Sequence, residues 1–360
     1  MEKKKVAIAC QGGGSQTAFT AGVLSGFIEQ EAFDQYELVS ISGTSGGAVC
    51  ASLLWYSMLQ ARASQSSLSD ERLVGFWQDN ASQNVFERAL NDSTVALARM
   101  VGRGKLPEFH LGPMHPLNQM TMATLQMFFP RFYDLQGLLE KHIDFEQIPS
   151  LPTADSPLLV IGAANVKTGE YRKFTSRSAA TGSAATGNDI SVEAIMASAA
   201  VPSLFPAVKV DGEYYWDGLF SDNPPTDELI LNADHKPDEL WVIQINPTQR
   251  ASIPVTPEDI QDRRNEMIGN NSLFQDLNHI LQMNQFVAEG AFTEAYQQQH
   301  DLKVIDIFQV DMSEGLMSSL DYPSKLNRNA AYINRLMDDG RQRAREFLSN
   351  KEVMRYQKQG

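Results

Sequence analysis

The chain is poor in cysteine, holding only Cys10 and Cys50 in 360 residues. Two thiols make no disulfide framework in a chain of this size, and both are expected to be reduced and buried. No His or Cys spacing typical of a metal site appears, so no metal is expected, and nothing in the chain implies an organic cofactor. No apolar run is long enough to cross a bilayer. Val6–Cys10 follows three lysines but is too short for the apolar core of a secretory signal. Positive charge is also scarce, with 30 Lys and Arg against 44 Asp and Glu and a net charge of -14. Such a surface repels nucleic acid and gives no long-range pull toward an anionic bilayer. There is no internal repeat and no heptad pattern. These absences point to a soluble cytoplasmic protein without a nucleic-acid partner.

What remains is an ordinary globular balance, 42% hydrophobic and 21% charged, enough for a large core and at most two or three domains. Val6–Cys10 and Leu38–Ser42 read as short buried strands, each followed by glycines and then by a helical apolar pattern, Thr17–Gln30 and Gly46–Leu59. Strand, glycine turn and helix in repetition indicate a parallel sheet with helices on its faces. Further strands are expected at Leu158–Ala164, Tyr171–Thr175, Val208–Tyr215 and Leu240–Ile245, with turns at Gly169-Glu170 and Asp211-Gly212. Val192–Ala200 reads as a short helix stopped by Pro202. Ala61–Asp70, Arg99–Pro116 and Ser176–Gly187 read as linkers or loops. Beyond Pro247 the chain turns polar, with helices expected at Ile260–Ile268, Leu273–Tyr296 and Ala330–Phe347, an edge strand at Lys303–Val310 and a frayed tail from Asn350. The expected division is residues 1–248 as one α/β domain and residues 249–360 as a mainly helical region packed on it or extending it.

Gly43-Thr44-Ser45-Gly46-Gly47 places a serine at a strand-to-helix junction. A serine hydroxyl is a weak nucleophile that needs a base and a place for the oxyanion. Gly43 and Gly47 remove side chains that would clash in so sharp a turn, and the helix start aims free N–H groups at the reacting oxygen. The motif also arises by chance in glycine-containing chains, where it marks a structural turn. Gly12-Gly13-Gly14-Ser15 has three readings: an oxyanion loop, a phosphate-binding turn or a plain tight turn. The dinucleotide pattern fails at Thr17, and the Gly-Lys-Ser/Thr of a nucleotide loop is missing. Asp217 follows an apolar strand and precedes Gly218, a place suited to a strand end facing the two glycine motifs; taken alone, a turn-forming Asp is the commoner case.

The three motifs in this order resemble the patatin-like phospholipases, a family of lipid acyl hydrolases. Their surroundings agree: Ala163–Gly169, Ala197–Pro206 and Asp222-Asn223-Pro224-Pro225, so that the similarity runs from about Val6 to Pro247. The resemblance implies a three-layer α/β/α fold with a mostly parallel central sheet, plus C-terminal helices. It implies a Ser–Asp dyad in which Ser45 attacks an ester carbonyl, Asp217 takes its proton and then activates water, and Gly12, Gly13, Gly14, Ser15 and Gly46 form the oxyanion hole. Gly43, Gly47 and Gly218 complete the motifs. The substrate implied is a phospholipid or lysophospholipid ester, met at a membrane as a peripheral contact. No histidine is required, and the six histidines sit in no motif; His235, in the order of a hydrolase triad, reads as solvated. The chain departs from the family at Gln16 and Thr17, where Arg or Lys and then Gly are usual, and at Leu219, where Gly or Ala is usual. These departures leave a transacylase, or a silent lipid-binding or partner-binding member, as alternatives. Met114–Tyr133, rich in Met and Phe, reads as a core helix or as a lipid-facing lid.

Overall fold

The computed structural model describes residues 3–102, 134–151, 156–177, 189–202, 205–231, 236–250, 253–255 and 257–357. Among these, the strands β1 (Lys4–Cys10), β2 (Tyr36–Gly43), β3 (Leu158–Asn165), β4 (Tyr171–Thr175), β5 (Val208–Val210), β6 (Glu213–Asp217), β7 (Glu239–Gln244) and β8 (Asp306–Asp311) form one sheet. Its order is β5-β6-β3-β2-β1-β7-β8, with β4 paired on β3. Along that order the five strands from β3 to β8 run parallel, while β4, β5 and β6 pair antiparallel.

Six helices bear on the core and the site: α1 (Ala18–Glu29), α2 (Gly46–Ser64), α3 (Val85–Gly102), α4 (Val192–Ser198), α5 (Pro257–Ala288) and α6 (Ala330–Asn350). Strand β1 explains the layering. Its odd and even side chains point to opposite faces. Val6, Ile8 and Cys10 pack with Phe19, Leu24 and Phe27 of α1, with Leu53 of α2 and with Phe347 of α6. Ala7 and Ala9 pack on the other face with Leu273 and Leu277 of α5. A parallel sheet covered on both faces reads as continuous apolar runs, and so it does here. This is the expected three-layer α/β/α architecture with a mostly parallel sheet.

Helices α1 and α6 meet backbone to backbone. A Cβ on Gly22 would lie 2.1 Å from the Met337 carbonyl oxygen, and one on Gly340 would lie 2.3 Å from that of Phe19. Only residues without side chains permit that approach.

Several expectations need correction. The helices expected at Ile260–Ile268 and Leu273–Tyr296 are divided elsewhere: α5 runs unbroken from Pro257 through Gly269-Asn270-Asn271 to Ala288, and a separate short helix covers Glu294–Gln299. Tertiary contacts hold that stretch, because Gly269 abuts Asn223 and Asn246, and the buried Asn270 bonds to Gln11 and Pro247. Helix α2 extends to Ser64 and α3 to Gly102, into stretches expected to be loops. The tail is docked through Tyr356, whose N–H donates to the Ile307 carbonyl at 2.8 Å. The Lys351 ammonium lies 2.6 Å from the buried Glu239 carboxylate, which needs that counter-charge. Met114–Tyr133, expected as a core helix or a lid, His110, His115 and His235, and most of the Ser176–Gly187 loop lie outside the described residues.

Candidate active site

The register of the sheet brings two distant residues level. Gly43, the last residue of β2, pairs with Ile161 of β3. Two residues further along β3, Ala163 pairs with Asp217 of β6. Two residues past Gly43 stands Ser45. Strand β6 runs against its neighbours, so its carboxyl end points away from the edge where the sequence pattern places Asp217. The residue reaches the level of Ser45 because β6 begins beyond the end of β3, with Tyr215 opposite Asn165.

Ser45 caps α2 with φ 57° and ψ −130°. A left-handed φ in a non-glycine residue is a strained conformation that surrounding structure must enforce. Here the enforcement comes from close backbone approaches. A Cβ on Gly47 would lie 2.2 Å from the Cys10 carbonyl oxygen, and one on Gly43 would lie 2.4 Å from that of Gly47. A Cβ on Gly12 would lie 2.7 Å from Cβ of Ser45, so the glycine loop touches the serine turn.

Asp217 is fully buried and Ser45 is 7% exposed. Burial pushes the Asp217 carboxyl up to about 7, with Ser45 and the Leu219 N–H pulling it back. Oδ1 accepts the Leu219 N–H at 2.9 Å. Oδ2 has no aligned hydrogen-bond partner. The Ser45 hydroxyl therefore stands near the carboxylate without a well-formed bond to it, as apo sites often do. The departure at Leu219 is a part of the site through its main chain. A Cβ on Gly218 would lie 2.6 Å from the Gly162 carbonyl oxygen, which fixes the glycine after the aspartate.

The glycine loop divides into two parts. The Gly12 N–H is committed to Asn223 Oδ1 at 2.7 Å, so Gly12 is not a free donor, contrary to its expected place in an oxyanion hole. Gly14 and Ser15 open the 3-10 turn Gly14–Thr17, and Gly46 opens α2. N–H groups at such starts have no partner within their own helix. The N–H groups of Gly14, Ser15 and Gly46 hold such positions, and Gly13 caps the 3-10 turn.

Sequence reasoning gave no role to three residues that shape this site. Ser198, at the end of α4, accepts the Ser45 N–H at 3.0 Å and donates to the Gly162 carbonyl at 2.7 Å. Asn223 holds Gly12. Gln11, fully buried, accepts the N–H groups of Ile245 and Asn246 and donates to Asn270. Ser198 and Asn223 sit inside the stretches that carried the resemblance, but nothing in their local pattern announced a distant partner.

A model of the patatin-like phospholipase family matches residues 8–230. The chain belongs to that family. No curated protein matches it in sequence. Among solved structures, VipD from Legionella pneumophila matches at 11% identity over 98% of this chain and 67% of its own, with a TM-score of 0.38. Human GIVD cytosolic phospholipase A2, in complex with methyl gamma-linolenyl fluorophosphonate, matches at 11% identity with a TM-score of 0.39. That match covers 97% of this chain but 60% of the human one. The Pseudomonas aeruginosa effector ExoU, in complex with SpcU, matches at 11% identity over 96% of this chain and 52% of its own, with a TM-score of 0.29. The chain spans about half to two thirds of the length of these three structures. Among the described residues, no group of three or more His, Cys, Asp and Glu is arranged to hold a metal, and no helix is long and apolar enough to cross a membrane.

Proposed function

We propose that this patatin-like chain hydrolyses carboxylic esters of lipids, phospholipid or lysophospholipid, through an acyl-enzyme on Ser45. The Ser45 hydroxyl attacks the carbonyl carbon as its proton passes to Asp217. The oxyanion is held by the N–H groups of Gly13, Gly14, Ser15 and Gly46. Collapse of the tetrahedral adduct expels the alcohol, which takes the proton back from Asp217. Water then attacks the acyl-enzyme with Asp217 again as base, releasing fatty acid and restoring Ser45.

The observation that carries this reading is the level register of Ser45 and a buried carboxylate with one unpartnered oxygen. A carboxyl raised to about 7 is matched to general-base work near neutral pH, and no histidine is then needed. The net charge of -14 favours neutral or zwitterionic lipid, met by peripheral contact at a membrane surface. Residues 249–360 are proposed to act as a C-terminal region packed on the hydrolase core of residues 1–248.

The test is hydrolysis of p-nitrophenyl esters and labelling by a fluorophosphonate. Wild-type protein is expected to be labelled at Ser45 and to release p-nitrophenol. Ser45→Ala and Asp217→Asn are each expected to lose at least about 10³-fold in rate. Near-wild-type turnover by either variant refutes the dyad. A folded wild-type protein that takes no label is a silent binding member.

A further inference from the structure

Gln16 stands where the resembled family usually carries a cation, and it is buried, 1% exposed. Its Nε2 donates to the Ser324 hydroxyl at 2.8 Å, across more than 300 residues of chain. The one donor of that hydroxyl is already committed. It donates its one proton to the Asp321 carbonyl at 2.6 Å and also accepts the Asp321 N–H at 3.2 Å. Residue 16 can therefore bond to Ser324 only as a donor. The other end of the same amide, Oε1, is buried without a partner. An unpaired buried carbonyl disfavours folding, so the favourable bond this amide contributes is the one from its donor end.

Ser324 belongs to the 3-10 turn Tyr322–Leu326, and that turn is itself tied down. Asp321 caps it and pairs with Arg99 of α3 at 2.8 Å. The Lys325 ammonium binds Asp262 and Glu266 on α5, both 2% exposed and both also held by Arg250. The turn then lies directly on the glycine loop: a Cβ on Gly14 would lie 2.6 Å from the Lys325 carbonyl oxygen.

We propose that the turn Tyr322–Leu326 is a positioning strap for the glycine loop, with Gln16 the residue that couples them. The inference rests on the oxyanion role proposed above for Gly13, Gly14 and Ser15. The strap fixes the 3-10 turn that aims those N–H groups, so the C-terminal third of the chain sets the geometry of the site without touching substrate. Gln16 and Ser324 are positioning residues.

The experiment compares full-length Gln16→Glu, Ser324→Ala and Ser324→Thr with wild type and with Ser45→Ala. It reads kcat and KM on a soluble p-nitrophenyl ester, fluorophosphonate labelling rate and melting temperature. Gln16→Glu keeps shape but turns donor into acceptor. It is expected to lower kcat and labelling rate by about 10- to 100-fold with KM changed by less than about 3-fold. Ser324→Ala is expected to follow it, and Ser324→Thr, which keeps the hydroxyl, to stay within about 3-fold of wild type. Should Gln16→Glu fail to fold, the contrast between Ser324→Ala and Ser324→Thr decides. Folded Gln16→Glu or Ser324→Ala with wild-type kcat, or with a loss confined to KM, overturns the strap. Ser45→Ala as active as wild type overturns instead the reading on which it rests.

Discussion

The hydroxyl of Ser198 accepts the backbone N–H of Ser45 at 3.0 Å. Two residues on, the Ala200 carbonyl accepts the N–H of Asp217 at 3.0 Å. One short segment thus holds the main chain of both candidate catalytic residues. Ser198→Ala is expected to leave the Ser45 N–H and the Gly162 carbonyl buried without partners. The expected result is a loss of roughly 2–4 kcal/mol of stability and of about 10- to 100-fold in kcat. Denaturant titration and ester hydrolysis check the two parts separately.

Activity is expected to follow the ionisation of Asp217. Only the carboxylate accepts the serine proton, and burial sets its pKa at about 7. A profile of kcat/KM against pH is expected to rise about tenfold per unit below that value and to level off above it. A profile flat from pH 5 to 9 excludes Asp217 as the base.

The same group makes stability depend on pH with a definite sign. The unfolded carboxyl titrates near ~4. Between ~4 and the folded value of about 7, the folded state keeps a proton that the unfolded state has lost. Stability contributed by this group is therefore present below the lower value and lost as pH rises through the upper one. Asp217→Asn is expected to melt roughly 2–6 °C higher than wild type at pH 8, with the difference gone near pH 4. Asp222, pushed up to about 6 by burial and by Asp276 and Asp227, slopes the same way in both proteins and cancels in the comparison. Melting curves at the two pH values read the effect.

Gly22→Ala is expected to be costly although alanine is the better helix former. Its methyl would meet the Met337 carbonyl oxygen at 2.1 Å, and neither backbone can yield without parting α1 from α6. A loss of about 3 kcal/mol or more is expected in denaturant titration, against a gain of about 1 kcal/mol for the same change in an exposed helix.

The parallel half of the molecule is legible in the sequence because its signals are local. Buried strands such as Val6–Cys10 show as apolar runs, and the glycines after them mark turns that side chains would block. Polar stretches are less legible. Gly269-Asn270-Asn271 looks like a break, yet Asn270 is spent on Gln11 and Pro247 inside one continuous helix. The tail looks solvated because its partners, Glu239 and Ile307, are distant in sequence. In the site, Ser45, Asp217 and the glycine loop are visible as motifs. That Gly12 is already bonded, and that Ser198, Asn223 and Gln16 brace the rest, depends on pairings with no local pattern.

Strand β6 pairs with β3 at Asn165–Tyr215, Ala164–Trp216 and Ala163–Asp217, while β2 pairs with the earlier residues Leu158 to Ile161 and β4 holds the opposite side of β3 from Val160 to Ala164. Strands β2 and β6 therefore share one side of β3, end to end, and Asp217 stands on the strand that takes over where β2 stops and Ser45 begins. One residue added to or lost from either strand would slide one member of the candidate pair along β3 and leave the other where it is.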